Sequence, residues 1–88
     1  MKARVTSSHV SQRVVRDPRI LAGEPTVQGT RVPVRSIVLA HRYYGDAEQV
    51  CRAYPMLDRA VVGDALAFYE ANAEEIDRYI AENEAEAA

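Results

Sequence analysis

Two histidines, one cysteine and a set of carboxylates are the groups in this 88-residue chain that could serve as bases, nucleophiles or metal ligands. Their placement suits none of these tasks. His9 and His41 lie far apart, and neither has a second ligand at metal-site spacing. His41 falls on or near an apolar helix face and reads as a partly buried structural residue. Cys51 lies on the apolar stripe of a short helix without a basic partner to lower its pKa, so it reads as a core thiol. Carboxylates gather only toward the C-terminus, as on a solvated helix face. The stretch Gly23 to Arg31 contains glycines but lacks the lysine and the helix context of a phosphate loop. The sequence therefore points to a protein that binds rather than catalyses, with no metal and no cofactor expected.

The arginines carry the stronger signal. The net charge of −2 hides an asymmetry: residues 1–54 hold nine Lys/Arg against four acids, and residues 55–88 hold two against nine. A basic half of +5 suits a phosphate backbone, and an acidic half of −7 suits a different partner. The candidate phosphate contacts are Arg31, Arg35, Arg42, Arg52 and Arg59. Arg35 and Arg42, seven residues apart, share one helix face and are expected to track a phosphate strand. Thr30 and Arg31, beside a helix start, either meet an anion or lock the preceding turn to a carbonyl or carboxylate.

These residues need elements to hold them. Gln12 to Arg16 is β-prone through Val14 and Val15 and is stopped by Asp17-Pro18. Gln28-Gly29, between Val27 and the run Thr30-Arg31-Val32, predicts a tight hairpin turn, with Pro25 and Pro33 confining the sheet to edge strands. A helix follows, with Val34, Ile37, Val38, His41 and Tyr44 on one face, ended by Gly45 as a left-handed cap. Asp46 caps the next, whose stripe is Ala47, Val50, Cys51 and Tyr54, and Pro55 ends it. From Asp58 a helical pattern runs to about Ala85, with Val62, Leu66, Tyr69, Ala73, Ile76 and Ile80 spaced as a short heptad seam. The expected fold is mainly α: a tri-helical helix-turn-helix core, homeodomain-like or winged-helix-like, with a small N-terminal β-hairpin and a long C-terminal helix. In this scheme the helix starting at Asp58 is the recognition helix. Arg59 is its only cation, flanked by Asp58 and Asp64.

Residues 1–11 read as a flexible tail, 12–72 as the domain, and 73–88 as an acidic amphipathic partner-binding segment. Within that segment Ile76, Tyr79 and Ile80 form an apolar patch that so small a domain is not expected to cover. With Tyr69 and Arg78 they are the candidate anchors for a partner's groove; a self-dimer through the heptad seam, or packing back onto the sheet, are the alternatives. The lone cysteine, the polar N-terminus and the lack of an apolar run of about 20 residues make a cytoplasmic protein the expectation.

The segment Gly23-Glu24-Pro25-Thr26-Val27-Gln28-Gly29-Thr30-Arg31-Val32-Pro33-Val34 resembles the hallmark G-x-P-x-(V/I)-x-G-T-R-(V/I)-P-V of the bacterial "domain of unknown function 433" family. The two short helices and Tyr54-Pro55-Met56-Leu57, matching the family's Y-P-x-L element, extend the resemblance over roughly residues 13–72. Where family members follow that element with a helix bearing D-(V/I)-R, this chain has Val61-Val62-Gly63-Asp64. The resemblance implies a VapB-like antitoxin of a type II toxin–antitoxin module. Its implied partners are a PIN-like ribonuclease toxin, bound through the C-terminal segment, and operator DNA, bound as an autorepressor. A homodimer or a higher hetero-oligomer is expected. The alternative is a protein-only adaptor or inhibitor that does not touch DNA, which the acids beside Arg59 favour.

Overall fold

A computed structural model describes residues 13–87. The expected N-terminal tail and His9 lie outside them. The chain begins with strand β1 (Val14–Val15), which pairs antiparallel with β2 (Thr26–Val27) in the register Val14 to Val27 and Val15 to Thr26. The connection is tightly folded. Asp17 accepts hydrogen bonds from the Arg19 N–H and guanidinium. Leu21, Ala22 and Gly23 then pass in succession through positive φ, at 50°, 54° and 91°. For the two residues with side chains that conformation costs about 1–2 kcal/mol each.

The turn expected at Gln28-Gly29 forms. Gly29 has φ of 80°, and the Thr30 N–H donates to the Val27 carbonyl at 3.0 Å. Positive φ at the third position of a four-residue turn is where glycine is favoured. The arm after the turn contributes less than a strand. Val27 N–H donates to the Val32 carbonyl, and Thr26 and Pro33 form an isolated bridge. Pro33 has no N–H to continue the ladder. The paired strand beside β2 is therefore β1, eleven or more residues upstream, and not the arm that follows the turn.

Helices α1 (Val34–Tyr44), α2 (Ala47–Ala53) and α3 (Arg59–Ala71) make the three-helix, helix-turn-helix-like core, with α3 packed on both α1 and α2. Their boundaries follow local chemistry. The Val34 N–H, an orphan donor at the start of α1, reaches the Pro25 carbonyl at 3.0 Å. Gly45 closes α1 at φ 92°. Asp46 accepts from the Gln49 N–H and Asp58 from the Val61 N–H, at 2.8 and 2.9 Å.

The pattern from Asp58 onward is not one helix. It breaks at Asn72, and α4 (Ala73–Ala87) follows as the long C-terminal helix. The Asn72 N–H bonds to the Tyr69 carbonyl, and its side-chain amide donates to the Phe68 carbonyl at 3.0 Å. Such local bonds compete with the helical ladder, as asparagine commonly does. The redirection swings α4 back against α1. Ile76 is 0% exposed and Ile80 7%, and both join the single core of Val14, Val27, Val34, Ile37, Val38, Val50, Leu57, Val62, Ala65 and Phe68. Burying each isoleucine is worth about 1.5–3 kcal/mol, which offsets the broken turn. The continuous heptad seam is thus replaced by two separate buried faces, and residues 73–80 belong to the domain rather than to a detached segment.

Candidate nucleic-acid and partner interface

The five arginines expected to meet phosphate do not share one surface. Arg35, in the first turn of α1, is drawn inward to Glu24, whose side chain is 6% exposed. Nε and Oε2 approach to 2.5 Å without the alignment of a hydrogen bond, so the contact is chiefly ionic. Arg42 leans over the Tyr69 ring and donates to its hydroxyl at 3.0 Å; that hydroxyl donates to Asp77 at 2.9 Å. Arg35 and Arg42 both have partners within the chain, but their settings differ: Arg35 is largely buried against Glu24, whereas Arg42 is exposed beside Tyr69 and Asp77. Their carboxylate partners come from outside α1, where helical spacing alone could not reveal them.

Arg31, Arg52 and Arg59 are exposed and have no carboxylate within ion-pair distance among the described residues. Arg52 stands in the last turn of α2 and Arg59 is the first residue of α3, so the two flank the turn of the helix-turn-helix element. Arg31 lies apart from them, at the rim of a cleft of about 600 Å³ between the β-turn and the Asp17-Pro18 loop. The Thr30 hydroxyl is internally engaged. It donates to the Val27 carbonyl at 2.9 Å and accepts from the Val32 N–H at 3.0 Å.

The expected partner anchors are also redistributed. Ile76 and Ile80 are not an uncovered patch, because the break at Asn72 inserts them into the core. Tyr69 is half-buried, with its hydroxyl held between Arg42 and Asp77. Tyr79 is half-buried beneath the Arg78 guanidinium, which is 5.8 Å from its ring centre. Arg78 itself is exposed and 4.0 Å from Glu82. The outward face of α4 presents Glu74, Asp77, Glu82, Glu84 and Glu86.

Two arginines absent from the expected set prove structurally central. Arg16 makes a two-pronged contact with Glu75, its second prong at 3.0 Å, while its guanidinium lies 5.4 Å from the Phe68 ring centre. The hydrogen bonds from Arg16 hold the Glu75 carboxyl below its ordinary range and raise the Arg16 guanidinium in turn. Arg13 meets Asp64 at 3.1 Å. Together with Arg42 and Asp77, these pairs join the basic half of the sequence to the acidic half. The asymmetry that suggested two partner surfaces is therefore partly spent within the fold, holding α3 and α4 to the sheet and α1. The asymmetry was the available signal, since opposite charges in one small domain have each other as their nearest partners. The Asp17 carboxyl, pushed down to about 2 by the Arg19 side chain and N–H, belongs to the loop alone.

His41 and Cys51 are half-buried, and Cys51 is a free thiol. Among the described residues no cluster of histidine, cysteine, aspartate and glutamate has the arrangement of a metal site, and no helix is long and apolar enough to cross a membrane. Tyr44, expected on the apolar face of α1, instead joins Tyr43, which the sequence did not single out, in an exposed aromatic surface. Tyr43 is 82% exposed and Tyr44 43%, with their rings edge-to-face at 4.9 Å.

Comparison with solved structures finds a protein of the same fold, a DUF433 member from Anabaena variabilis ATCC 29413. It is 23% identical, with a TM-score of 0.72, covering 92% of this chain and 86% of that one. No curated protein matches. The model of the family described as "Protein of unknown function (DUF433)" matches residues 14–69, which span the β-turn motif, both short helices and most of α3. The chain belongs to the DUF433 family.

Proposed function

We propose that this protein is a cytoplasmic antitoxin-type regulator that works by binding and not by catalysis. It binds operator DNA as an autorepressor through the α2–α3 element, and it neutralises a PIN-like ribonuclease toxin through the C-terminal helix. One observation carries the DNA part. Arg52 and Arg59 flank the turn between α2 and α3, and both lack a carboxylate partner among the described residues, whereas Arg13, Arg16, Arg35 and Arg42 are all paired. A helix-turn-helix element places this turn and the start of its second helix at the DNA. For the toxin, the outward acids of α4, together with Arg78 and Tyr79, replace the buried isoleucines as the contact surface.

Fluorescence anisotropy with DNA from the chain's own promoter, read across a salt series, tests the proposal. The two free arginines beside the α2–α3 turn predict a slope of log K against log salt of about −2 per protomer. Arg52→Ala and Arg59→Ala should each flatten it by about one unit. Absence of salt-dependent binding by the intact protein would refute the DNA part. The second reading, a protein-only adaptor, is favoured by the charge of α3, where Arg59 is the one cation and Asp58, Asp64 and Glu70 share the helix or its cap. That reading expects no DNA binding and retained capture of the toxin.

A further inference from the structure

We infer that the cleft beside Arg31 is a binding site for a carboxylate carried on an apolar group, supplied by a small organic acid or by the C-terminal end of a peptide. Two fixed walls form it. One is the turn from Gln28 to Arg31, tied by the Thr30 hydroxyl to the Val27 carbonyl and the Val32 N–H. The other begins at the end of β1, where Val14 is buried in the core and Val15, next along the strand, lies on the opposite side and lines the cleft. It continues through Pro18 to Ile20, in a loop held by the Asp17–Arg19 bonds and by the Ile20 N–H on the Asp17 carbonyl at 2.8 Å. Leu21 and Ala22 follow at positive φ, yet none of Leu21–Gly23 is buried. Core packing does not offset that strain, and strained backbone of this kind gathers at binding loops. The space between the walls, about 600 Å³, is the size of a small-ligand site.

The distribution of charge selects the ligand. Three charged side chains line the cleft, and two are already satisfied, Arg16 by Glu75 and Asp17 by Arg19. Arg31 is exposed and has no carboxylate within ion-pair distance among the described residues. Beside it, the Gly29 and Arg31 N–H groups meet no acceptor among the described residues. A guanidinium next to free backbone N–H groups is a donor set for an anion. One unpaired positive charge balances one negative charge, and the planar guanidinium fork matches the two oxygens of a carboxylate. A nucleic-acid strand fits poorly. It brings a charge with every phosphate to a cleft whose other cation is paired and whose lining includes Asp17. Val15, Pro18 and Ile20 offer the carbon body of the ligand an apolar surface to cover. Arg31 lies apart from Arg52, Arg59 and α4, so this site depends on neither the DNA reading nor the toxin reading.

Amide NMR spectra of the intact, isotope-labelled chain test the inference, with N-acetyl-leucine as the probe. At pH 7 it should shift the amides of Ile20 and of Gln28 to Arg31 saturably, with a Kd of about 1–10 mM for a ligand of this size. Its neutral analogue, N-acetyl-leucinamide, should bind at least about tenfold more weakly, and Arg31→Met should weaken N-acetyl-leucine by a similar factor. Arg31→Lys keeps the charge but loses the fork and should fall between the two. Since Arg31 is exposed and outside the core, the amides of core residues in Arg31→Met should match the parent. Isocaproate, which has the same apolar body without the acetamido group, separates the sources. Tighter binding of N-acetyl-leucine points to a peptide end, equal or tighter binding of isocaproate to a small acid, and either upholds the site. The absence of a saturable shift up to about 50 mM, well above the expected range, overturns the inference. So do equal binding of the amide, undiminished binding by Arg31→Met, or tighter binding of inorganic phosphate.

Discussion

Replacing Ile76 by alanine tests whether the C-terminal helix is part of the domain or an arm carried beside it. Ile76 is 0% exposed and sits where α4 meets α1 and α3. Removing three carbons from so enclosed a position loses their transfer free energy and leaves a cavity, at a typical cost of about 2–5 kcal/mol. An 88-residue domain of ordinary stability has about 4–13 kcal/mol in all. A central loss of about 3 kcal/mol is thus a large share, and it lowers Tm by about 12–24 °C for a domain of this size. The assay is thermal and urea unfolding followed by far-UV circular dichroism, at one fixed protein concentration so that any self-association is held constant. Glu84→Ala, on the outward face of the same helix, is the control and should change stability by no more than about 0.5 kcal/mol. The parent should unfold in one transition that includes the 15 residues of α4. Two results would refute the reasoning: Ile76→Ala within about 0.5 kcal/mol of the parent, or a separate early melting of the C-terminal helix.

The Arg16–Glu75 clamp makes stability depend on pH in a defined direction. The Glu75 carboxyl is depressed in the folded state, chiefly by the Arg16 hydrogen bonds. Its contribution is therefore present above the unfolded carboxyl pKa of about 4.3, and it is lost as the pH falls through the lower folded value. Arg16 is nearly half exposed, so the pair is worth no more than about 1 kcal/mol after screening. Urea titrations should show Glu75→Gln less stable than the parent at pH 7, with the gap closing in acid; a gap that widens in acid would contradict the assignment. The Glu24–Arg35 pair should behave differently because it is buried. Arg35→Met strands a carboxylate that is 6% exposed, at a cost of about 3–5 kcal/mol. Adding Glu24→Gln to Arg35→Met should recover a substantial part of that loss in the same unfolding assay, and no recovery would show that the two side chains act independently.

Much of the local architecture was legible because its causes are local. A capping aspartate reaches an N–H three residues away, so Asp46 and Asp58 announce the starts of α2 and α3. Gly45 and Gly29 mark left-handed positions that do not depend on distant neighbours. Period-3.6 apolar spacing similarly identified Val34, Ile37 and Val38 as the inner side of α1. The break at Asn72 was less legible. The residues around it have good helical spacing, and the local bonds of Asn72 favour a bend over a straight helix only together with the gain from burying Ile76 and Ile80.

By itself, then, the sequence determined the family motif, the helical order, the caps and the turn at Gly29, and the caps and the turn rest on interactions spanning four residues or fewer. Only the tertiary structure decided which strand pairs with β2, which arginines remain free, and whether the C-terminal isoleucines face a partner or the core. Those outcomes depend on groups far apart along the chain: Arg16 and Glu75 are separated by 59 positions, and Val14 and Val27 pair across a loop. A pattern of residue types states what each side chain prefers to meet. Which of several suitable groups it does meet is settled by the folded backbone that brings one of them within reach.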